Sequence, residues 1–204
     1  MRSTAFPIGY RYPALITFVT ILILTLSTPQ HAFAIRTFGS GYCWTSEGAW
    51  ASNTIQFRID GSVPSSMYTA IRTSAQTWTN IGASSVTFSE QSSTNYVAYG
   101  LVDARYAAIT YPGTYGQNPL TQVHTTLNSY FLWSTGGPSG AFDVQNITTH
   151  EFGHWLFLDD KNDSACSDET MYWSIPAGST TSPIETKKRT LELPDINGAA
   201  YQYP

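Results

Sequence analysis

The stretch "HEFGHWLFLDD" at residues 150–160 sets two histidines four residues apart, a glutamate directly after the first, and two aspartates a few residues beyond. On a helix, residues four apart share a face with Cβ atoms about 6 Å from each other, so His150 and His154 can aim their imidazoles at one ion. Glu151 sits about 100° further round the helix, poorly placed to join that pair but within reach of a water bound to the same ion. Zinc lowers the pKa of such a water to about 7, and a nearby carboxylate can take its proton during attack on a carbonyl, then pass that proton to the leaving amine. The bland reading is two surface histidines and a glutamate pairing along a helix. In a chain with 4 His the string arises by chance only on the order of a few times per thousand such sequences, so chemistry is the stronger reading.

Catalytic zinc takes three protein ligands and keeps one position open. Outside the motif, and past the first 34 residues, the remaining histidine is His124. The alternation around it sets His124 with Gln122 and Thr126 on the polar face of a strand, opposite Val123 and Leu127, so it would need fortuitous placement to reach the helix. Asp159 and Asp160 are better placed, because a helix that breaks soon after His154 lets the chain fold back on the metal. A downstream glutamate, Glu169 or Glu185, is the alternative third ligand.

The elements that must position these groups are legible in part. "NTIQFRID" alternates Ile55, Phe57 and Ile59 with polar residues, the period of a half-buried strand. From Pro64, the residues Met67, Ala70, Ile71, Ala75, Trp78 and Ile81 recur at helical spacing, which predicts an amphipathic helix closed by Gly82. Further strands are expected at "SVTFSE", "NYVAYGLV" and "LTQVHTTLN", separated by Gly- and Pro-rich turns such as "YPGTYGQNP". Asp143 is placed to cap the helix carrying the motif, and Pro194 to open a short last helix. The order of elements predicts an α/β (α+β) domain with a mixed sheet.

Residues 1–34 read as a signal peptide: Arg2 and Arg11, the apolar run "ALITFVTILILTL", and the small residues Ala32 and Ala34 before a cleavage point ahead of Ile35. That run is short of the about 20 residues a membrane span needs. Cleavage and secretion, with no membrane attachment afterwards, are therefore the expectation, and an uncleaved N-terminal anchor the alternative. Residues 35–204 are enough for one domain, expected to be a monomer. The whole chain has a formal net charge of −4, and without the two leader arginines it stands near −6, which argues against nucleic acid or anionic lipid as partners. Cys43 and Cys166 are the two cysteines, and an exported chain is expected to join them as a disulfide. The loop "DDKNDSACSDE" is oxygen-rich enough to hold calcium, yet it does not match an EF-hand, and a solvated acidic loop is the expected reading.

The motif resembles the zinc-binding stretch of the metzincin metallopeptidases, His-Glu-x-x-His-x-x-Gly-x-x-His or Asp. The resemblance implies His150, His154 and Asp160 as ligands of one catalytic zinc and Glu151 as general base, the aspartate being like that of snapalysin-type and some prokaryotic matrixin-like members. "ETMYWSI" is similar to the family's methionine turn, which implies Met171 beneath the metal. The helix at 64–81, "SVTFSE", "LTQVHTTLN" and "LPDINGAAY" are similar in order and spacing to the matrixin catalytic domain, so the resemblance covers most of residues 53–201. It implies a twisted mixed sheet, an active-site helix, a Met-turn and a short C-terminal helix. The implied activity is a zinc metalloendopeptidase, its protein or peptide substrate laid along a sheet edge and residues 173–182 walling the pocket beyond the scissile bond. Phe157 departs from the family's glycine. Because a phenylalanine at positive φ is strained, the turn there is expected to start later or take another shape. The non-enzymatic rival is a secreted binding domain whose metal site Phe157 has spoiled, but an intact Glu151 argues against it, since a structural site needs no base.

Overall fold

The computed structural model describes residues 39–46, 48–112, 122–136, 140–174 and 186–204, all within one compact unit, His31–Pro204. The signal peptide read at residues 1–34 lies outside the described residues. A short antiparallel hairpin, β1 (Gly39–Gly41) and β2 (Trp44–Ser46), comes first. Strand β3 (Thr54–Ile59) then follows the alternation read from sequence, with Ile55 and Phe57 buried. A single 3₁₀ turn at Ser65–Met67 leads into helix α1 (Tyr68–Thr79). The helix ends two residues before Ile81, and Asn80 rather than Gly82 caps it, its amide bonded to the carbonyl of Gln76. Gly82 is not among the residues with positive φ, so the glycine stop expected there is not used.

Strands β4 (Thr87–Glu90), β5 (Tyr96–Gly100), β6 (Ala108–Pro112) and β7 (Val123–Asn128) complete a five-stranded sheet in the order β4-β3-β5-β7-β6. Four strands are mutually parallel, and β6 runs antiparallel to β7 at one end. This is the mixed sheet expected from the sequence, with one strand more than the pattern announced. In β6 the residues facing the helices are Ala108 and Thr110, while Ile109 and Tyr111 face outward, so its alternation is inverted.

Two short strands, β8 (Trp133–Ser134) and β9 (Phe142–Asp143), precede helix α2 (Val144–Trp155). Asp143 caps α2 as expected: its carboxylate accepts the Asn146 amide at 2.8 Å. Arg189 clamps the same carboxylate through Nε at 2.8 Å and through its terminal nitrogen. Helix α2 lies against the sheet through Phe152, whose ring meets Phe57 at 5.5 Å and Phe88 at 5.0 Å. It also lies against α1, where the Trp78 indole donates to the Thr149 carbonyl at 2.8 Å. The last helix, α3 (Leu193–Gln202), has proline in its first turn. No helix among the described residues is long and apolar enough to cross a membrane.

Cys43 and Cys166 form the expected disulfide, joining the β1–β2 hairpin to the loop after α2 across 123 residues of sequence. Cys43 occupies the tip of the hairpin at φ +57°, a conformation that a β-carbon disfavours. Closing a loop of this length stabilises a chain by about 5 kcal/mol through the unfolded state. A Cys43→Ser, Cys166→Ser double variant should therefore lose about that much in urea unfolding, and a midpoint equal to wild type would contradict the assignment.

Candidate metal centre

Helix α2 ends in a turn built from main-chain bonds. The Leu158 amide donates to the Gly153 carbonyl at 3.1 Å and the Phe157 amide to the His154 carbonyl at 3.0 Å, the pair that closes a helix when the residue between is left-handed. That residue is Phe157, at φ +65°. The turn therefore neither starts later nor changes shape, contrary to the expectation drawn from the missing glycine. The strain, of about 1–2 kcal/mol, is offset by packing. The ring rests on Gly48, where an added Cβ would stand 3.0 Å away, and edge-on to Trp50 at 5.9 Å. Trp50 in turn donates its indole proton to the Trp155 carbonyl at 2.6 Å.

Past the turn, β2 takes up the chain. Ser46 bridges Leu158, the Asp159 amide donates to the Thr45 carbonyl at 2.9 Å, and the Thr45 hydroxyl donates to the Asp159 carboxylate at 2.9 Å. With Asp159 held by the hairpin, Asp160 is the aspartate that faces the histidines. Its Oδ1 lies 3.2 Å from His150 Nε2 and 3.6 Å from His154 Nε2. Ligands on a tetrahedral ion at about 2.0–2.1 Å stand about 3.3 Å apart, so the spacing suits a small divalent ion. Among the described residues, His150, His154 and Asp160 form a group able to hold a metal.

Both imidazoles are fixed from behind. His150 Nδ1 lies 2.7 Å from the Thr170 carbonyl and His154 Nδ1 lies 2.8 Å from the Leu158 carbonyl. A carbonyl can only accept, so each Nδ1 carries the proton and each Nε2 presents its lone pair to the ion. The Asp160 side chain keeps about half of its surface exposed, and the partial burial alone would raise its carboxyl pKa. With the imidazoles in their protonated, metal-free form, the hydrogen bond from His150 and the charges of His150, His154 and Lys188 outweigh this and lower it.

The carbonyl behind His150 belongs to the segment carrying Met171. Asp195, fully buried on α3, accepts the amides of Thr170 at 3.0 Å, Met171 at 3.2 Å and Glu192 at 3.0 Å. Met171 is buried against α2, and Gly153 admits it: a Cβ there would fall 2.1 Å from the Met171 sulfur and 3.0 Å from the Trp78 ring. Met171 thus lies in the segment that supports His150, and Asp195, within "LPDINGAAY", is a supporting residue that the spacing of the motif does not single out.

Glu151, also buried, has its Oε2 2.6 Å from the Thr110 hydroxyl on β6. The sequence reading offered nothing that singled out Thr110. His124 stands apart from the centre, on the outer face of the sheet, stacked between Tyr96 at 4.9 Å and Tyr111 at 5.2 Å. Glu169 does not join the metal group either: it is buried with Oε2 lacking a hydrogen-bond partner. Glu185 lies outside the described residues, as does the expected pocket wall beyond Trp173 and Ser174.

No protein-family model and no curated protein matches the sequence. Among solved structures the chain is similar to Myroilysin, with a TM-score of 0.51 and 17% identity over 76% of this chain and 82% of that one. At that identity the likeness is one of fold, and it agrees with a metzincin-like arrangement of mixed sheet and helices.

Two outcomes follow. Asp195→Asn puts a donor among three amides, so it should lower stability by about 2–4 kcal/mol and metal affinity about 10–100-fold; a chelator-competition titration unchanged from wild type would refute its role. Glu169 is pushed up to about 7, first by burial and then by the charges of Asp195, Glu192 and Asp168. The folded chain thus keeps a proton that the unfolded chain loses near its ordinary 4.5, and stability falls as pH rises through that window. Glu169→Gln should match wild type near pH 4 and exceed it by about 1–2 kcal/mol at pH 8; parallel stability curves for the two proteins would overturn this.

Proposed function

We propose that residues 35–204 form a secreted, zinc-dependent endopeptidase of metzincin, matrixin-like type, released from a leader at residues 1–34. The observation that carries the reading is the convergence of His150 Nε2, His154 Nε2 and Asp160 Oδ1, with both Nδ1 atoms engaged on carbonyls and a buried glutamate next in sequence to His150. The fold likeness to Myroilysin supports the same family reading, and the disulfide suits an oxidising compartment.

Zinc held by His150, His154 and Asp160 would supply the Lewis acidity that polarises a scissile carbonyl and makes a water acidic near neutrality. Glu151 takes one proton from the attacking water. The remaining hydroxide adds to the carbonyl carbon, and the C–N bond breaks as Glu151 gives the proton to the departing nitrogen. One water is consumed and Glu151 ends as it began. An extended peptide fits beside β6, the terminal strand of the sheet, where main-chain hydrogen bonds supply affinity.

The purified 35–204 chain should carry one zinc and cleave an unstructured protein in a chelator-sensitive manner. Glu151→Gln should keep the zinc and lose about 10²–10⁴ in kcat. A wild type without zinc, or a Gln variant that cleaves as fast as wild type, would refute the proposal; zinc without cleavage would favour the binding-domain alternative.

A further inference from the structure

Four buried or half-buried groups form a series that leaves α2 at Trp155, passes through Thr125 on β7 and Thr110 on β6, and returns to α2 at Glu151. Trp155 Nε1 lies 2.8 Å from Thr125 Oγ1, Thr125 Oγ1 lies 2.6 Å from Thr110 Oγ1, and Thr110 Oγ1 lies 2.6 Å from Glu151 Oε2. Chemistry leaves a single direction for the protons. An indole N–H only donates, so Thr125 accepts from Trp155. A carboxylate only accepts, so Thr110 gives its one hydroxyl proton to Glu151. The contact between the two threonines is then settled, with Thr125 donating and Thr110 accepting. Each link polarises the next in the same sense, which strengthens the last bond.

The sheet register explains how two threonines come so close. The Asn128 amide donates to the Ala107 carbonyl, and from that pair the antiparallel ladder alternates. The pairing of Thr110 with Thr125 therefore falls at a position without main-chain bonds, where facing side chains approach most closely. By the same alternation the N–H and C=O of Thr110 point away from β7, toward the outer side of β6.

We infer that this directed chain of donors makes Thr110 a positioning residue for Glu151, a role that rests on the hydrolase reading above. By occupying Oε2, Thr110 leaves Oε1 as the oxygen that meets the attacking water. It also ties the orientation of the base to β6, the strand beside which an extended peptide fits. Thr125 and Trp155 act one and two links further back, by fixing the proton that Thr110 donates.

The test compares wild type, Thr110→Val, which keeps the strand-forming shape without the hydroxyl, and Thr110→Ser, which restores it. Zinc content, melting temperature, and kcat and KM on a fluorogenic peptide are measured for each. Thr110→Val should lose about tenfold or more in kcat, with KM within about twofold of wild type and one zinc retained, and Thr110→Ser should return to within about threefold. The Trp155 indole N–H resonance should shift in Thr110→Val and stay in Thr110→Ser, a readout independent of turnover. If Thr110→Val does not fold, Thr110→Ala is read in the same way. Wild-type kcat in the Val or Ala variant, equal losses in Val and Ser, or a loss that follows zinc content would overturn the inference while leaving the hydrolase reading intact. A wild type without chelator-sensitive cleavage would instead overturn that reading, and this role with it.

Discussion

The bond from the Leu158 amide to the Gly153 carbonyl closes helix α2 and reverses the chain within two residues. Three consequences hang on it. It turns the Leu158 carbonyl toward His154 and so sets that imidazole's tautomer. It delivers the chain to β2, which holds Asp159 and leaves Asp160 for the histidines. It also requires a left-handed residue at position 157, and a phenylalanine there is tolerated because its ring has surface to cover on Gly48 and Trp50. A turn that glycine would make from its own backbone freedom is made here by packing.

The electrostatics of the centre follow one scheme: polar groups that cannot choose their role fix groups that can. Carbonyls of Thr170 and Leu158 decide which nitrogen of each imidazole carries a proton. The Asp195 carboxylate, by gathering three amides, decides where the Thr170 carbonyl stands. An indole at one end and a carboxylate at the other fix the order of two hydroxyls between them. These contacts lie in the interior, where a misplaced donor is costly, so each selects one arrangement.

Much of this was legible in the residues and part was not. The spacing of His150 and His154, the cap at Asp143, the alternation in β3 and the stripe of α1 are local signals, and the elements lie where those signals put them within a few residues. Strand β6 escaped because the residues it turns inward, Ala108 and Thr110, are small or polar, while its apolar residues face out. The choice between Asp159 and Asp160 turned on Thr45, more than a hundred residues upstream, and no local pattern carries that information. Phe157 misled for a related reason. Propensity describes a residue against its own backbone, whereas here the deciding partners are residues 48 and 50.

The placement of Asp160 links the site to the order in which the chain assembles. Two of the three candidate ligands are neighbours on one helix turn and come into register as soon as the helix forms. The third depends on the pairing of Thr45 with Asp159, 114 residues apart in sequence, a contact of the kind that forms slowly because a long loop must close first. An ion bound to all three ligands is then bound only by the completed fold, so metal binding draws on the same free energy as folding. A chain that binds an ion in this way would have no fixed melting temperature until the free metal concentration is stated, and scarcity of the ion would lower its stability.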